Sequence, residues 1–346
     1  MAWVKPQYTK EKVDAAGRAL IDEDSTASIH LEETLDIINN WRSSHAFPLN
    51  TMQMNLRGKA TDADSGNLVA QRIKRLSSIR SKLERFDWLT LSEMQDIGGC
   101  RAVLRTVSAV EDVARAFKNS RIKHRLINED DYIQCPKRTG YRGHHLIYSY
   151  FSDRTETYCG KKIEVQLRSR LQHTWATAVE TVGTFTNQAL KSSQGEKAWL
   201  RFFVLVSSVF AIKEERPIVH NTSEERNQLV DELKHYVECL DVVNRLRSYQ
   251  AALRVTRTNP VLRRARYFLL ELEPERPVLR IRSFPSNSLE VATEEYLEAE
   301  QRLRTKVGGD AVLVSVGSLD SLERAFPNYY LDTSRFLGEI ESAIAR

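Results

Sequence analysis

The sequence predicts an α/β (α+β) fold in which a mixed β-sheet is flanked by helices. Between residues 96 and 183, runs with the alternation typical of strands are interleaved with amphipathic helical stretches, in the order β-α-β-loop-β-β-α. The pattern changes at Asn259-Pro260, a dipeptide that interrupts helices. We therefore expect one domain over residues 1–259 and a smaller one over residues 260–346.

Apolar stripes predict helices that cover this sheet. VDAAGRALI and SIHLEETLDIINNWR are expected near the start of the chain, and Pro48 is expected to close that unit. AQRIKRLSSIRSKLERF predicts one continuous helix. A single long helix is expected from Glu224 to Leu253, since apolar residues recur there every three or four positions. GEKAWLRFFVLVSSVFAI predicts a buried helix, because serines and flanking charges make it unsuited to a membrane.

The C-terminal segment has a different pattern. RYFLLELEP, PVLRIRSF, SLEVATEEYLEAEQRLR, AVLVSVGS and SLDSLERAF predict a small ββαβα module. Within the first helix of this module, four glutamates fall within seven residues, and such a cluster usually forms a solvated face. They are Glu294, Glu295, Glu298 and Glu300.

Composition limits the function classes. The net charge of +5 divides into 39 Lys/Arg against 32 Asp/Glu before residue 260 and 12 against 14 after it, so a basic front segment precedes an acidic one. A basic segment favours phosphate or nucleic acid as a partner. The four cysteines form no C-x-x-C pair, which argues against zinc and predicts buried free thiols. With no 18-residue apolar run, we expect a cytoplasmic protein without a membrane partner.

Three polar residues follow helical spacing in the first basic stretch. Lys74, Ser78 and Lys82 fall at i, i+4 and i+8 of the expected helix. Two ammonium groups that bracket a hydroxyl suit a triphosphate chain. A solvated basic face is the alternative interpretation.

Two of the predicted strands bring candidate carboxylates to their start or to one face. Asp96 directly precedes a strand beside two glycines, which suits a metal ligand as well as a simple turn residue. The run KIEVQLR places Glu164, Gln166 and Arg168 on one strand face. Because such groups are costly against an apolar layer, we expect them to line a polar cleft.

A loop with special backbone residues precedes these strands. Pro136 fixes its own φ, and Gly140 and Gly143 bracket Tyr141. The pattern predicts an aromatic ring on a backbone that bends freely. Such a ring offers a face on which a nucleic-acid base can stack.

These motifs together resemble a known family. DYI, P-K, GYRG, His145 and E-V-Q-L-R, in this order and spacing, are similar to the RelA/SpoT-type pyrophosphokinase domain. The resemblance extends upstream to RIKRLSSIRSKL and DIGGCR and downstream to QHTWATAVE. It therefore covers roughly residues 72 to 180. It implies ATP as the pyrophosphate donor and Mg²⁺ as the cofactor.

The resemblance also implies site residues. It assigns ATP binding to Arg72, Lys74, Ser78 and Arg101, with Lys82 consistent with the same role, and Mg²⁺ binding to Asp96. Catalysis and metal binding are expected to involve Glu164 too, and Tyr141 is expected to serve both catalysis and the acceptor. The further expected acceptor residues are Arg142, His145, Gln166 and Arg168.

The chain departs from the family on the acceptor side. Where the family commonly has K-D-Y-I, this chain has Asp130 in place of the lysine. An acidic residue there weakens binding of free guanosine di- or triphosphate.

The wider sequence is similar to the toxic small alarmone synthetases, whose acceptor is the 3′ CCA end of tRNA. Over its full length it resembles the CapRel-type fused toxin-antitoxin proteins of anti-phage defence. In those proteins a C-terminal pseudo-zinc-finger domain restrains the toxin until a phage capsid protein binds. The resemblance implies tRNA and a phage capsid or other phage trigger protein as partners, and no DNA.

The same resemblance implies a blocking element in the tail. Phe326, Tyr329 and Tyr330 lie in the segment FPNYY, and Tyr329 is expected to occupy the slot between Arg72 and Arg101 that otherwise receives adenine. Two alternatives stay open. One is an alarmone synthetase that uses GDP or GTP, and the other is a non-catalytic RNA-binding sensor.

Overall fold

The computed structural model describes residues 3–22, 28–186, 190, 196–252, 254–257, 265–273, 278–285, 287–303, 310–315 and 333–345. The helices are α1 Lys10–Ile21, α2 Ser28–Ser43, α3 Ala46–Ala63, α4 Leu76–Arg85, α5 Val107–Lys118, α6 Arg170–Thr186, α7 Lys197–Lys213, α8 Arg226–Cys239, α9 Val242–Ala252, α10 Leu289–Leu303 and α11 Ser334–Ile344. The strands are β1 Leu68–Ile73, β2 Gly98–Leu104, β3 Arg125–Asp131, β4 His144–Ser149, β5 Lys162–Ser169, β6 Arg254–Arg257, β7 Ala265–Glu273, β8 Val278–Pro285 and β9 Asp310–Ser315.

The described strands form one nine-stranded sheet in the order β3-β4-β5-β2-β1-β9-β7-β8-β6. The pairs β2/β5 and β6/β8 are parallel, whereas the other pairs are antiparallel. The predicted mixed sheet with flanking helices is therefore confirmed. The predicted order β-α-β-loop-β-β-α corresponds to β2, α5, β3, β4, β5 and α6.

The two faces of the sheet differ because strand residues alternate. One face of β1, β2, β4 and β5 is apolar and packs against α3 and α5 in a core that includes Leu56, Val110, Val165 and Leu167. The opposite face carries the predicted polar row of β5. The apolar face anchors the sheet and leaves the polar face for chemistry.

A helical bundle closes one end of the polar face. Helices α6, α7, α8 and α11 share an aromatic core, in which Trp199 and Phe202 are fully buried. Helix α7 is the buried helix that the sequence predicts. Within the described residues, the helices lack the combination of length and apolar character that a membrane crossing requires.

The loop that precedes β4 is wedged against this bundle. Gly140 has φ +87°, and a Cβ atom there would lie 2.9 Å from Cβ of Ser207 and 3.1 Å from the carbonyl oxygen of Phe203. The Ser207 hydroxyl donates to the Gly140 carbonyl at 2.6 Å. The glycine thus permits a close approach to α7, so the expectation of a freely bending loop is wrong.

Several helix boundaries differ from the sequence predictions. Residues 68–73 form strand β1, so the expected helix begins only at Leu76, and Arg72 and Lys74 are not part of it. Pairing of β1 with β2 overrides the helical pattern.

Pro48 does not close the N-terminal unit. It lies in the first turn of a further helix, α3, where a missing N–H costs nothing. The expected long helix is two, α8 and α9, separated by Asp241 with φ +47°.

The C-terminal strands continue the same sheet. The predicted ββαβ order is present as β7, β8, α10 and β9, and β9 pairs with β1 at Gln71 and Arg72. Helix α11, which the sequence analysis missed, packs into the bundle through Phe336. The predicted boundary at Asn259-Pro260, the helix near SLDSLERAF and the residues Phe326, Tyr329 and Tyr330 lie outside the described residues. The pseudo-zinc-finger assignment stays a prediction.

The cysteines are all free, as expected. Cys100 is buried, but Cys135 and Cys239 are exposed, so the expectation of buried thiols is wrong for these two. They lie in the loop after β3 and at the end of α8, where no packed layer covers them.

The close approach at Gly140 predicts a stability effect. We expect Gly140→Ala to lower the free energy of unfolding by roughly 2–5 kcal/mol, because it adds overpacking to the cost of a left-handed residue. Gly160 is the matched control, since its φ is +81° but nothing lies within 4 Å of a Cβ there. Gly160→Ala should cost only about 1–2 kcal/mol in urea denaturation. Equal losses in both variants would contradict the close approach.

Candidate active site

A cleft opens on the polar face where β1, β2 and β5 lie side by side. Its empty volume is about 370 Å³. It is lined by Ala70, Gln71, Arg72, Asp96, Gly99, Cys100, Arg101, Glu164 and Gln166. The structure therefore brings five of the predicted site residues to one place.

Strand register explains why these residues meet. Arg72 lies opposite Gly99, which in turn lies opposite Glu164. Since Gly99 has no side chain, it leaves a gap between the arginine and the glutamate, and this gap is the floor of the cleft. In the neighbouring row, Arg101 lies opposite Gln166.

Asp96 is held between the two lysines that were expected to bind phosphate. Its Oδ2 accepts from Lys74 Nζ at 2.7 Å, and its Oδ1 accepts from Lys82 Nζ at 3.0 Å. Burial raises the pKa of Asp96, but the two ammonium charges outweigh it and hold the pKa well below its usual range. The carboxylate is therefore ionised at neutral pH, as metal binding requires.

Arg72 and Arg101, the two arginines that were predicted to hold adenine, are close enough to affect each other electrostatically. Burial, together with the charges of Arg168 and Arg72, lowers the pKa of Arg101 to about 9. The buried Nε of Arg101 has no hydrogen-bond partner within the described part of the chain. A buried, unsatisfied donor on the wall of a cleft is suited to a ligand. Ser78, which was also predicted to bind ATP, is partly buried on α4 and lies between Lys74 and Lys82 in the sequence.

Glu164 anchors a hydrogen-bonded chain on the acceptor side. Its Oε1 lies 2.8 Å from Nδ1 of His145, and its Oε2 accepts from Gln166 Nε2 at 2.5 Å. Nε2 of His145 lies 2.5 Å from the hydroxyl of Tyr141, which accepts from Arg168 at 2.9 Å. The chain continues because Arg168 also donates to Oε1 of Gln166 at 3.2 Å.

The electrostatics of Glu164 follow from this chain. Burial raises its pKa, but the charge and hydrogen bond of His145 together with the hydrogen bond from Gln166 outweigh this effect, and the result is a pKa of about 2. Asp96 and Glu164 both line the cleft, and the charge of Asp96 acts to raise the pKa of Glu164. Two carboxylates suit Mg²⁺, which keeps several water ligands and needs few from the protein. Among the described residues, those of the cleft included, no three His, Cys, Asp or Glu side chains are grouped so that they could hold a metal ion.

Tyr141 and Arg142 occupy positions that the sequence did not indicate. Tyr141 is only 6% exposed and lies edge-on to Trp175, so most of its ring is covered. Its role as a stacking surface stays a prediction. Arg142 does not face the cleft, because its guanidinium donates to Ser207 Oγ at 3.0 Å and to the carbonyls of Ile133 and Pro217 at 3.1 and 2.7 Å. The structure places it as a brace of the loop, apart from the other predicted acceptor residues.

Two further residues flank the acceptor side. Tyr132 is partly exposed, and Nζ of Lys137 lies 4.1 Å from the centre of its ring and 5.5 Å from that of Tyr141. Both lie in motifs that carry the family resemblance, DYI and P-K, but neither was predicted to be a site residue. The signal available was an aromatic residue and a cation within one short loop.

Comparison with known proteins is consistent with this geometry. Residues 71–188 match the model of the region found in RelA/SpoT proteins. The chain is 33% identical over 111 residues to the GTP pyrophosphokinase YwaC of Bacillus subtilis (strain 168), and 30% identical over 114 residues to YjbM, another GTP pyrophosphokinase of that strain. These segments cover 31% and 32% of this chain and 52% of each relative, so the chain spans about half the length of the curated relatives it matches.

Solved structures with similarity include small alarmone synthetase 2 from Bacillus subtilis, with a TM-score of 0.44 and 23% identity over 51% of this chain and 93% of that one. Another is small alarmone synthetase 1 from the same organism bound to its product pppGpp, with a TM-score of 0.43 and 21% identity over 49% of this chain and 89% of that one. The predicted resemblance to the RelA/SpoT-type synthetase is confirmed by the match over residues 71–188, whereas the resemblance to the toxin branch stays a prediction.

The pKa of Glu164 predicts a pH dependence of stability. Its folded value of about 2 lies below the ordinary value of 4.5, so this carboxylate stabilises the fold above pH 4.5 and the contribution is lost as the pH falls towards 2. The stability advantage of the native protein over Glu164→Gln should shrink by on the order of 3 kcal/mol across this window in urea titrations. A difference that stays constant from pH 5 to 2 would be inconsistent with the buried pair.

Proposed function

We propose that the chain is an ATP-dependent pyrophosphokinase that transfers the β,γ-pyrophosphate of ATP to the 3′ CCA end of tRNA and so blocks translation. One observation carries the catalytic part. A carboxylate paired with two lysines, Asp96, faces a second ionised carboxylate, Glu164, across a cleft with arginines on its walls. Pyrophosphoryl transfer requires mainly charge neutralisation and alignment, and this arrangement provides both.

The residues have separable tasks in this proposal. Lys74 and Lys82 neutralise phosphate oxygens of ATP, and Arg72 and Arg101 hold the adenine. Asp96 and Glu164 would hold Mg²⁺, which neutralises the phosphates when bound. An acceptor hydroxyl attacks the β-phosphorus, the bond from that phosphorus to the oxygen shared with the α-phosphate breaks, and AMP leaves.

The proton of the acceptor hydroxyl must also move. A carboxylate with a pKa of about 2 is a weak base at neutral pH, because general bases work best when their pKa lies near the operating pH. We therefore assign Glu164 to orienting His145 and to the metal rather than to proton abstraction. His145 does not take the proton directly, because its Nδ1 lies against Glu164 and its Nε2 lies against the Tyr141 hydroxyl, so the proton passes to water in the cleft.

The acceptor assignment is supported by the loop sequence and by charge. Asp130 lies opposite His145 in register and accepts from Asn128 at 2.9 Å, so an acidic group stands near the acceptor side. Such a group disfavours a free, highly charged nucleotide more than a hydroxyl at the end of a chain. Transfer to GTP or GDP is the alternative function, favoured by the names of the two curated relatives. A non-catalytic RNA-binding sensor is the other rival.

A labelling assay separates these functions. The protein is incubated with γ-labelled ATP, Mg²⁺ and either bulk tRNA or GDP, and we expect label on tRNA. Asp96→Asn should reduce labelling by about a hundredfold or more, since it removes a metal ligand and the partner of both lysines. Asp62→Asn, at an exposed position on α3, is the matched control. Label on GDP alone would favour the alternative, and near-normal transfer by Asp96→Asn would refute the site.

We further propose that the C-terminal segment regulates this activity in abortive-infection defence, with release by a phage protein, for which the resemblance implies capsid protein. Contacts of the described C-terminal residues with the donor side support the proposal. Strand β9 pairs with β1 at Arg72. On α10, Glu300 accepts from both terminal nitrogens of Arg42, at 2.9 and 3.2 Å, and from the backbone N–H of Leu76 at 2.9 Å.

Arg42 extends this contact to the donor loop. It is 2% exposed, its Nε donates to the carbonyl of Lys74 at 3.0 Å, and it donates to the hydroxyl of Tyr296 at 2.5 Å. A partner that moves α10 would therefore shift the backbone that carries Lys74. Blocking by Phe326, Tyr329 and Tyr330 remains part of the proposal, with Tyr329→Ala expected to raise ATP turnover.

The contact of α10 predicts a specific variant effect. Glu300→Gln leaves the buried Arg42 without its counter-ion, so we expect a loss of roughly 3–5 kcal/mol in unfolding free energy. It should also raise the KM for ATP more than it lowers kcat, because the Lys74 loop loses its support. Glu298→Gln, at an exposed position of the same helix, is the control. Identical behaviour of the two variants would contradict coupling between α10 and the donor side.

A further inference from the structure

A strip of aromatic rings and cations runs along the end of α4 next to the acceptor loop. It consists of Arg85, Phe86, Trp88, Tyr132 and Lys137. The guanidinium of Arg85 lies 4.4 Å from the centre of the Phe86 ring, whose centre lies 5.7 Å from that of Trp88. Nζ of Lys137 lies 4.1 Å from the centre of the Tyr132 ring. The strip therefore holds two groups of rings, each with one cation against a ring.

The exposure of Trp88 is unusual for its size. Its side chain is 75% exposed, the highest value among the exposed large apolar residues in the described part of the chain. Single exposed apolar residues need no explanation in a soluble protein. Trp88, however, packs on the ring of Phe86, which itself contacts Arg85. Flat ligands can stack on such a group of rings.

The cations of the strip connect it with the cleft. Burial lowers the pKa of Lys137, the charges of Asp130 and Glu164 raise it, and those of Lys82 and Arg85 lower it, so Lys137 lies near the cations of α4 as well as near the cleft carboxylate Glu164. Lys82 in turn donates to Asp96 in the cleft. Of the nearby acids, Glu84 is paired with Arg80 at 2.7 Å, Asp130 faces Tyr132, and Asp87 stays exposed between the two rings. A cationic path with interleaved rings leads from Trp88 to the catalytic carboxylates.

We propose that this strip binds the single-stranded end of an RNA, with bases stacked on Trp88 and Phe86 and phosphates near Arg85 and Lys137. The proposal rests on the proposed function, because the strip guides the end of the strand, with its acceptor hydroxyl, to the acceptor side of the same cleft. Exposed rings bind bases of any type, at about 1–3 kcal/mol per base, and neighbouring cations bind the backbone. A base-paired strand hides its ring faces, so the strip selects unpaired nucleotides.

The charge of the strip distinguishes RNA from a protein partner. A purely apolar patch would fit a protein interface core, where charged residues are depleted. Here Phe86 and Tyr132 each have a cation within 4.4 Å of the ring centre, and Trp88 contacts Phe86. Rings that lie beside cations suit a nucleic acid strand, whose bases can stack on the rings while its phosphates meet the cations.

Binding of a short fluorescent RNA that ends in CCA-3′ tests the strip without catalysis. We expect Trp88→Ala to weaken binding to the full-length protein about five- to hundredfold, Trp88→Phe to restore most of it, and the same RNA annealed to its complement to bind weakly. Phe151→Ala is the matched control, since Phe151 is an exposed aromatic residue, 48% exposed, outside the strip. Unchanged affinity of Trp88→Ala, or an equal loss in Phe151→Ala, would overturn the proposal.

A second measurement separates this proposal from the proposed function. If the RNA binds through Trp88 but acquires no label from ATP, the strip stands and tRNA transfer fails. If tRNA is labelled equally by the native protein and Trp88→Ala, transfer stands and the strip falls. Loss of a protein complex in Trp88→Ala with no change in RNA affinity would assign the strip to a protein partner and overturn the proposal.

Discussion

The active cleft depends on keeping charged groups buried on one face of a β-sheet. Glu164 is 8% exposed and Arg168 is 2% exposed, and burial of either group alone would be costly. The cost is offset because Glu164, Gln166, Arg168, Tyr141 and His145 form one connected hydrogen-bonded chain. Removing any one member leaves its neighbours unsatisfied, so the geometry of the site and the stability of the sheet are linked.

The strand that carries this chain was predictable from sequence, and the loop that completes it was not. Alternation along KIEVQLR indicates which side chains share a face, because the two-residue period of a strand is a local property. The burial of Tyr141 depends on Gly140 reaching α7, more than sixty residues later in the chain. No local pattern reports such a distant contact. For the same reason Arg142 was assigned to the acceptor although it braces the loop against Pro217.

The misassigned strand β1 shows how tertiary pairing overrides local preference. Residues around Arg72 have a helical pattern, yet β2 and β9 flank them and supply backbone partners on both sides. One of these partners comes from the C-terminal segment, so the donor side of the cleft is completed by residues more than two hundred positions away. A chain built in this way couples its C-terminal segment to Arg72 by backbone pairing as well as by the buried contact of Arg42 with Glu300. Regulation from that segment would then need no long path through the protein.

The pairing of Asp96 with both lysines has a consequence for the order of binding under the proposed function. Phosphates can engage Lys74 and Lys82 fully only when these lysines release Asp96, and a released carboxylate near Glu164 would face a second negative charge in a buried cleft. A divalent cation held by Asp96 and Glu164 would remove this repulsion. We therefore expect nucleotide binding and metal binding to favour each other. The phosphates replace Asp96 as partners of the two lysines, and the cation replaces the lysines as the partner of Asp96. In the free protein both lysines are held on Asp96, which keeps these three side chains in place until nucleotide and metal bind.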